Sequence, residues 1–176
     1  MRRKQLITVA IDSPAAAGAG TQAKLIAKRY KLLHLDTGRI YRFIGKMKLE
    51  SPKKFNINNL KKKIKKLKIK DLKDKKLLSD KVATAASIIA KEKKIRNILK
   101  KFQYKFAYSP PNKYSGSVLD GRDITSVQMR DAMFKFYITA NVKVRAMRRY
   151  REYKALKKKI TFDEVLKSLK KRDKLD

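Results

Sequence analysis

A strand, a loop of small residues and a helix follow one another at the start of the chain, and this order leaves few folds open. Leu6 to Ile11 is an apolar, partly β-branched run that predicts a buried strand ending at Asp12. A loop of Ser, Pro, Ala and Gly follows over residues 13–20, and helical spacing of apolar residues predicts a helix over 21–30. Loop N–H groups and a helix N-terminus can converge on a phosphate. Alanine-rich turns also serve packing alone, so this loop by itself indicates such a site only weakly.

The rest of the chain repeats the alternation of strands and helices. Short apolar runs predict strands at 32–35, 117–119 and 134–138. Helical spacing predicts helices around 40–47, two between 79 and 106, and one each over 141–156 and 162–171. Strands separated by helices predict an α/β fold, a three-layer parallel sheet with helices on both faces. Residues 51–78 carry an apolar stripe among lysines, which indicates either a short amphipathic helix covering the surface or a mobile basic arm.

Composition excludes several classes of site. The 176 residues include no Cys and one His (His34), which rules out disulfides, a thiolate nucleophile and a multi-His metal site; we expect His34 to be structural. No apolar run approaches the roughly 20 residues that span a bilayer, and residues 6–11 are too short for a signal-peptide core, so we expect a cytoplasmic protein. The formal net charge of +34 favours polyanion binding or reflects compositional drift toward lysine.

Several segments in chain order resemble those of bacterial cytidylate kinases, which are P-loop nucleoside monophosphate kinases. Residues 12–21 resemble the phosphate loop of that superfamily, and residues 20–24 its continuation. Residues 35–42 resemble the family's "LDTG-x-x-YR" segment and residues 118–124 its "DGRDIG" segment, with Thr125 where the family usually has Gly. Ala85-Ala86-Ser87 together with Arg96 resemble the family's acceptor-binding helices. Residues 144–150 resemble its lid helix, and Lys171-Arg172-Asp173 resemble the start of its "RDxRD" segment. The ordered set is far more specific than any one motif.

The resemblance implies one nucleoside monophosphate kinase-like domain over residues 1–176. Its Lys-rich covering segment would lie at about 51–78, which is the only unmatched stretch, and its lid region at about 145–172. The family continues past the "RD" segment into another arginine, a further strand and a closing helix, whereas this chain ends at Asp176. The resemblance therefore implies a fold lacking the last strand and helix, and the sequence is either a fragment or an incomplete, less stable fold.

A second departure concerns the phosphate loop. The family's loop lysine would fall at Ala19, so the charge that normally neutralises the donor β- and γ-phosphates is absent there. Loss of one such electrostatic contact can reduce the rate roughly 10²–10³-fold, whereas the backbone cradle needs no side chain. Lys24 lies five residues along the helix and is expected to point elsewhere. Lid arginines are better placed to compensate.

The resemblance assigns roles to particular residues. ATP phosphates would be held by Ser13, Pro14, Ala15, Ala16, Ala17, Gly18, Ala19, Gly20 and Thr21. CMP would be bound by Asp36, Thr37, Arg42, Ser87, Arg96, Arg122 and Asp123, with Arg42, Arg96 and Arg122 on the phosphate. The catalytic arginines would be Arg122, Arg145, Arg149 and Arg172.

Two of these groups also have plainer explanations. Asp120 and Thr21 would approach Mg²⁺, partly through water, although Asp120-Gly121 is equally compatible with an ordinary turn. Arg145, Arg148 and Arg149 occur at i, i+3 and i+4, so they share one face of a helix that could close as a lid or simply face solvent.

The resemblance implies that the chain transfers the γ-phosphate of ATP to CMP or dCMP with Mg²⁺, as a monomer. Ala19 and the short C-terminus leave open a weakly active or inactive nucleotide-binding protein of the same fold. The net charge leaves open a basic nucleic-acid-binding protein, whose affinity would fall steeply with salt. For a kinase, nucleic acid would bind only through nonspecific electrostatics.

Overall fold

A four-stranded parallel sheet forms the centre of the molecule, as seen in the computed structural model, which describes residues 5–174 apart from the side chain at position 80. The strands are β1 (Ile7–Asp12), β2 (Leu32–Asp36), β3 (Gly116–Gly121) and β4 (Phe134–Tyr137). Their spatial order is β2-β3-β1-β4, and each neighbouring pair is parallel. The predicted parallel α/β sheet is confirmed, with strand boundaries shifted by one or two residues.

Seven α-helices connect and flank the strands within the described residues. They are α1 (Ala19–Tyr30), α2 (Thr37–Glu50), α3 (Ile57–Lys66), α4 (Asp80–Ile89), α5 (Lys93–Tyr108), α6 (Val142–Ala155) and α7 (Phe162–Asp173). Residues 52–54, 69–73 and 75–78 form short 3₁₀ turns, and Ile124–Gln128 form one turn of π-helix. None of the helices in the described part of the chain combines the length and apolar composition needed to cross a membrane.

Apolar side chains cover both faces of β1, β2 and β3, which explains why these strands are mostly apolar on both sides, whereas the edge strand β4 is exposed. Ala10, Leu35 and Leu119 belong to a large core with residues of α2, α3 and α5. Val9 and Val118 belong to a smaller core, which they share with the inner face of α1. The sheet therefore lies between two layers of helices, as predicted.

Strand register brings the carboxyl ends of three strands together. Asp12 at the end of β1 is paired with Gly121 of β3, and Asp36 at the end of β2 is paired with Asp120. The chain leaves β1 toward β2 on one side and leaves β3 toward β4 on the other. Such a reversal between adjacent parallel strands opens a crevice at their carboxyl ends.

The Lys-rich segment 51–78 is part of the core. The apolar side of its helix α3 places Leu60 and Ile64 fully inside the large core, and Leu72 is buried there as well. The segment is also fixed to α2, because Lys46 forms an ion pair with Asp74 at 2.5 Å. Of the two alternatives that the sequence left open, the structure has the amphipathic helix, which contributes to the interior as well as covering it.

Helices α6 and α7 form a hairpin that packs on the loop after β1. Ala146, Val165 and Leu169 are buried between the two helices, together with Ala15 of that loop. A capping box, in which Thr161 and Glu164 each accept a hydrogen bond from the other's backbone N–H, begins α7. The predicted lid region is therefore in direct contact with the predicted phosphate loop.

Candidate functional site

A cavity of about 1020 Å³ lies at the carboxyl ends of β1, β2 and β3. Its walls include the loop of residues 13–18 between β1 and α1, called the phosphate loop below, together with parts of α2, α4, α5 and α6. Every residue assigned a role from the sequence lines this cavity except Arg145. Residues that are up to 159 positions apart in sequence, from Ser13 to Arg172, are thus brought together.

The phosphate loop curls around the N-terminus of α1. Gly18 precedes the helix with φ of +102°, and Ala16 has φ of +59°, so two left-handed residues turn the backbone. A side chain at Gly18 would be strained by this dihedral angle, which explains the need for glycine. The N–H groups of Thr21 and Gln22 both bond to the Gly18 carbonyl at 3.0 and 3.1 Å. This loop-and-helix arrangement is suited to an anion.

Two carboxylates lie at the ends of β2 and β3. Asp120 is buried, and its Oδ1 lies 2.6 Å from Nε2 of His34. Thr37 donates its hydroxyl to the Asp120 carbonyl at 2.9 Å, which ties α2 to β3. Burial, followed by the negative charge of Asp120, raises the pKa of Asp36. His34 supports Asp120 from behind the cavity wall, in keeping with the structural role expected for it.

Three arginines, Arg42, Arg149 and Arg172, line the cavity together. Arg42 donates to the Leu77 carbonyl at 2.9 Å, so the Lys-rich segment holds its guanidinium in place. Burial lowers the pKa of Arg42, and the positive charges of Arg149 and Arg172 lower it further. The three positive charges line the same cavity, an arrangement that a bound anion would stabilise.

Polar groups suited to a nucleobase lie beside them. Arg96 Nη2 pairs with Asp123 Oδ2 at 2.5 Å, which joins α5 to the segment after β3. Burial and the nearby charge of Asp123 raise the pKa of Tyr41 to about 12, so its hydroxyl keeps its proton at neutral pH. The hydroxyl of Ser87 donates to the Ala83 carbonyl of its own helix at 3.1 Å.

Asp12 holds the segment that carries Arg122 and Asp123. Its buried carboxylate accepts hydrogen bonds from the N–H groups of Ile124 and Thr125, at 2.6 and 3.0 Å. The Thr125 hydroxyl donates a third bond at 2.5 Å, so the residue that departs from the family pattern adds a contact. No motif in the sequence indicated this role, because the partners are more than 110 residues apart.

The arginines of α6 differ in their surroundings. Arg145 is 5% exposed and is not among the residues that line the cavity. Its guanidinium donates to both carboxylate oxygens of Asp173, at 3.0 and 2.6 Å, and to the Ala15 carbonyl. Hydrogen bonding to Arg145 lowers the pKa of Asp173. Arg148 donates to the Ala17 carbonyl at 3.0 Å and lines the cavity, and Arg149 pairs with Glu152 at 2.8 Å. The catalytic role predicted for Arg145 stays a prediction, and the contacts of this residue hold the loop to the α6–α7 hairpin.

Sequence reasoning assigned no site role to Lys24 or Tyr41, which both line the cavity. Lys24 was expected to point elsewhere. Arg148 also lines the cavity, and the sequence considered it only as one of three arginines on a possible lid face. The spacing of the α6 arginines on one helix face was the only feature of the sequence that pointed to Arg148. Helix periodicity did not indicate that Lys24 and Tyr41 face the cavity. Among the described residues there is no cluster of three or more His, Asp or Glu side chains that could hold a metal by itself.

Comparison with known proteins gives a consistent family. A sequence model of the cytidylate kinase family matches residues 9–176. A cytidylate kinase of Bartonella quintana is 43% identical over 171 residues, which cover 96% of this chain and 77% of the relative. Cytidylate kinases of Fusobacterium nucleatum and Rhodospirillum rubrum are 37% and 35% identical, over 97% and 96% of this chain and 81% and 79% of the relatives.

Proposed function

The chain belongs to the cytidylate kinase family, and on that premise we propose that it transfers the γ-phosphoryl group of ATP to CMP or dCMP, giving ADP and CDP or dCDP. The observation that best supports this reaction is one cavity that holds both the phosphate loop and the acceptor-side arginines. Its volume of about 1020 Å³ lies at the upper end of the range for small-molecule sites, which suits two nucleotides.

The donor side would bind ATP chiefly through the backbone. The loop from Ser13 to Gly18 would surround the β- and γ-phosphates. Ala19 and Gly20 would present the N–H groups of the first turn of α1, and Thr21 would present its hydroxyl. Such binding requires no basic side chain in the loop.

The acceptor side would hold the monophosphate and the base. Arg42, Arg96 and Arg122 would bind the phosphate, since guanidinium groups grip its oxygens in pairs. Ser87, Arg122 and Asp123 would contact cytosine, with Asp36 and Thr37 completing the wall. The existing Arg96–Asp123 pair would keep both groups oriented before the nucleotide binds.

Transfer requires positioning and charge neutralisation more than covalent chemistry by the protein. An oxygen of the acceptor phosphate attacks the γ-phosphorus, and the bond to the oxygen bridging to the β-phosphate breaks, leaving ADP. Arg122, Arg149 and Arg172 would stabilise the equatorial oxygens during this displacement. We assign Arg145 to positioning, because its buried guanidinium already bridges Ala15 and Asp173.

The donor groups in the cavity fit Mg²⁺ in one particular manner. Asp120 is a buried carboxylate close to the first turn of α1, since its Oδ2 lies 3.4 Å from where a Cβ on Gly20 would be. Thr21 exposes a hydroxyl on the same turn. One carboxylate and one hydroxyl suit a Mg²⁺ that keeps several waters and binds mainly to nucleotide phosphates. Asp120 and Thr21 would hold the ion partly through water, and it would supply positive charge against the nucleotide phosphates.

We further propose that the enzyme acts as a cytoplasmic monomer in pyrimidine nucleotide metabolism. With a net charge of +34, it would also attract nucleic acid through nonspecific electrostatics. The family match favours the kinase over the two alternative functions that the sequence left open.

A coupled assay of ADP formation with ATP and CMP or dCMP tests the proposal. Arg42→Met should raise KM for CMP by about 10–100-fold, since one charge-assisted contact contributes about 1.5–3 kcal/mol, while KM for ATP changes less than threefold. Arg29→Met is the matched control, because Arg29 lies exposed at the end of α1 outside the cavity.

Two results would contradict the kinase. CMP binding without CMP-dependent ADP formation would favour an inactive nucleotide-binding protein. RNA or DNA binding that falls steeply with salt and is unchanged in Arg42→Met, together with no CMP binding, would favour the nucleic-acid function.

A further inference from the structure

Residue 19 leaves the phosphate loop without a side-chain cation. In P-loop proteins the lysine at this position reaches the β- and γ-phosphates. Here Ala19 is only 4% exposed and packs beneath the loop with Val9 and Ala23. The backbone N–H groups supply partial charges alone, so a full positive charge has to come from another element.

Helix α6 brings one arginine directly onto the loop. Arg148 donates from Nη1 to the Ala17 carbonyl at 3.0 Å. The same nitrogen lies 3.5 Å from the position that a Cβ on Gly18 would occupy, at the residue that begins α1. Because Arg148 also lines the cavity, its guanidinium lies at the boundary between the loop backbone and the space for the donor phosphates.

The neighbouring cations are less suited to this position. Arg145 is buried and bonded to both oxygens of Asp173, and Arg149 pairs with Glu152. Lys24 is five residues beyond Ala19 on α1, which is about 7.5 Å further along the helix axis. Arg148 by contrast bonds to the Ala17 carbonyl, a dipole that does not cancel the charge of the guanidinium.

We propose that Arg148 supplies, from α6, the positive charge on the donor β- and γ-phosphates that Ala19 cannot supply from the loop. A guanidinium has five N–H donors, so one bond to Ala17 leaves others for a pair of phosphate oxygens. The assignment rests on the proposed ATP-dependent function and adds a catalytic residue to it. It also explains how this loop can lack its lysine and still serve phosphoryl transfer.

The first test measures binding and needs no turnover. Arg148→Gln should weaken ATP about tenfold or more by isothermal titration calorimetry of the full chain with Mg²⁺, and should weaken AMP less than twofold. With CMP present, kcat should fall about 10²–10³-fold. Arg151→Gln is the matched control, an exposed arginine on the same helix outside the cavity, and should match the wild type within twofold.

The second test asks whether Arg148 and residue 19 perform the same task. In an Ala19→Lys background, Arg148→Gln should reduce kcat less than tenfold, because a loop lysine makes the arginine redundant. Equal losses in both backgrounds would overturn the proposal, since Arg148 would then act only by holding the loop. A loss that appears with Lys24→Gln and is rescued by Ala19→Lys would overturn it in favour of Lys24.

Two further measurements keep the outcome decisive. If the Ala19→Lys variant does not fold, because residue 19 is buried, the Arg148→Lys variant is measured instead. Retention of at least a third of the wild-type ATP affinity supports a role for the charge of Arg148. A loss of affinity equal to that of Arg148→Gln overturns the proposal. If the wild type forms no CDP or dCDP, the proposed function fails, while the ATP and AMP affinities of Arg148→Gln still decide the role of Arg148 in phosphate binding.

Discussion

Replacing Asp12 by Asn probes the connection between the phosphate loop and the acceptor segment. The two carboxylate oxygens of Asp12 accept three hydrogen bonds from Ile124 and Thr125, at 2.5–3.0 Å. An Asn side chain has nearly the same shape but offers one oxygen and one NH₂ group. Whichever way the amide is oriented, a backbone N–H of Ile124 or Thr125 faces another donor.

The expected magnitude follows from these contacts. A hydrogen bond to a charged group contributes about 1.5–3 kcal/mol, and a buried donor left without a partner costs about 1–3 kcal/mol. Because only one of the two N–H groups loses its acceptor, we expect Asp12→Asn to lower the free energy of unfolding by about 2–4 kcal/mol. Thr125→Val removes only the hydroxyl contact and should cost about 0.5–1.5 kcal/mol.

Urea unfolding followed by circular dichroism at pH 7 measures both values. Asp12→Asn should also raise KM for CMP more than KM for ATP, because Arg122 and Asp123 are directly joined to Ile124 and Thr125, the two residues that Asp12 holds. A loss of stability for Asp12→Asn no larger than that for Thr125→Val would refute the argument that the charged carboxylate organises this segment.

Two further substitutions test the elements around the site. Leu60→Ala should lower the free energy of unfolding by about 2–5 kcal/mol in the same urea assay, because Leu60 of the Lys-rich segment is fully buried. The control Lys61→Ala, at an exposed position, should change the free energy of unfolding by less than about 0.5 kcal/mol. Equally small effects of the two substitutions would mean that the segment only covers the surface. Asp173→Asn tests how the ion pair between Arg145 and Asp173 depends on pH. Folding lowers the pKa of Asp173 below its ordinary value of 3.8, so the pair stabilises the folded protein fully above pH 3.8. This stabilisation is lost as the pH falls through the lowered pKa of the folded state. Thermal unfolding from pH 7 to pH 2 should therefore show a smaller acid-induced drop in the variant than in the wild type, and parallel curves would exclude the pair as a contributor.

The sequence allowed the elements around the site to be predicted well, because their signals are local. Apolar runs and helical spacing located the strands and most helices to within a few residues, whereas α3 was one of two alternatives for its segment. The family resemblance pointed to many, but not all, of the residues that line the cavity. The roles derived from that resemblance remain proposals. The position of Arg145 is different: its spacing along α6 matched that of a lid arginine, yet its burial depends on Asp173, which lies 28 residues away.

The order of residues alone determined that a strand, a glycine-containing loop and a helix follow one another, because these elements form from contacts and dihedral preferences within about 20 neighbouring positions. Tertiary structure decided which cations reach that loop. Arg148 lies on the Ala17 carbonyl only because α6 and α7 pack together on Ala15, and Arg42 is oriented by a carbonyl 35 residues away. Electrostatic contacts of this kind depend on distances between separate elements, and composition and periodicity carry no information about those distances.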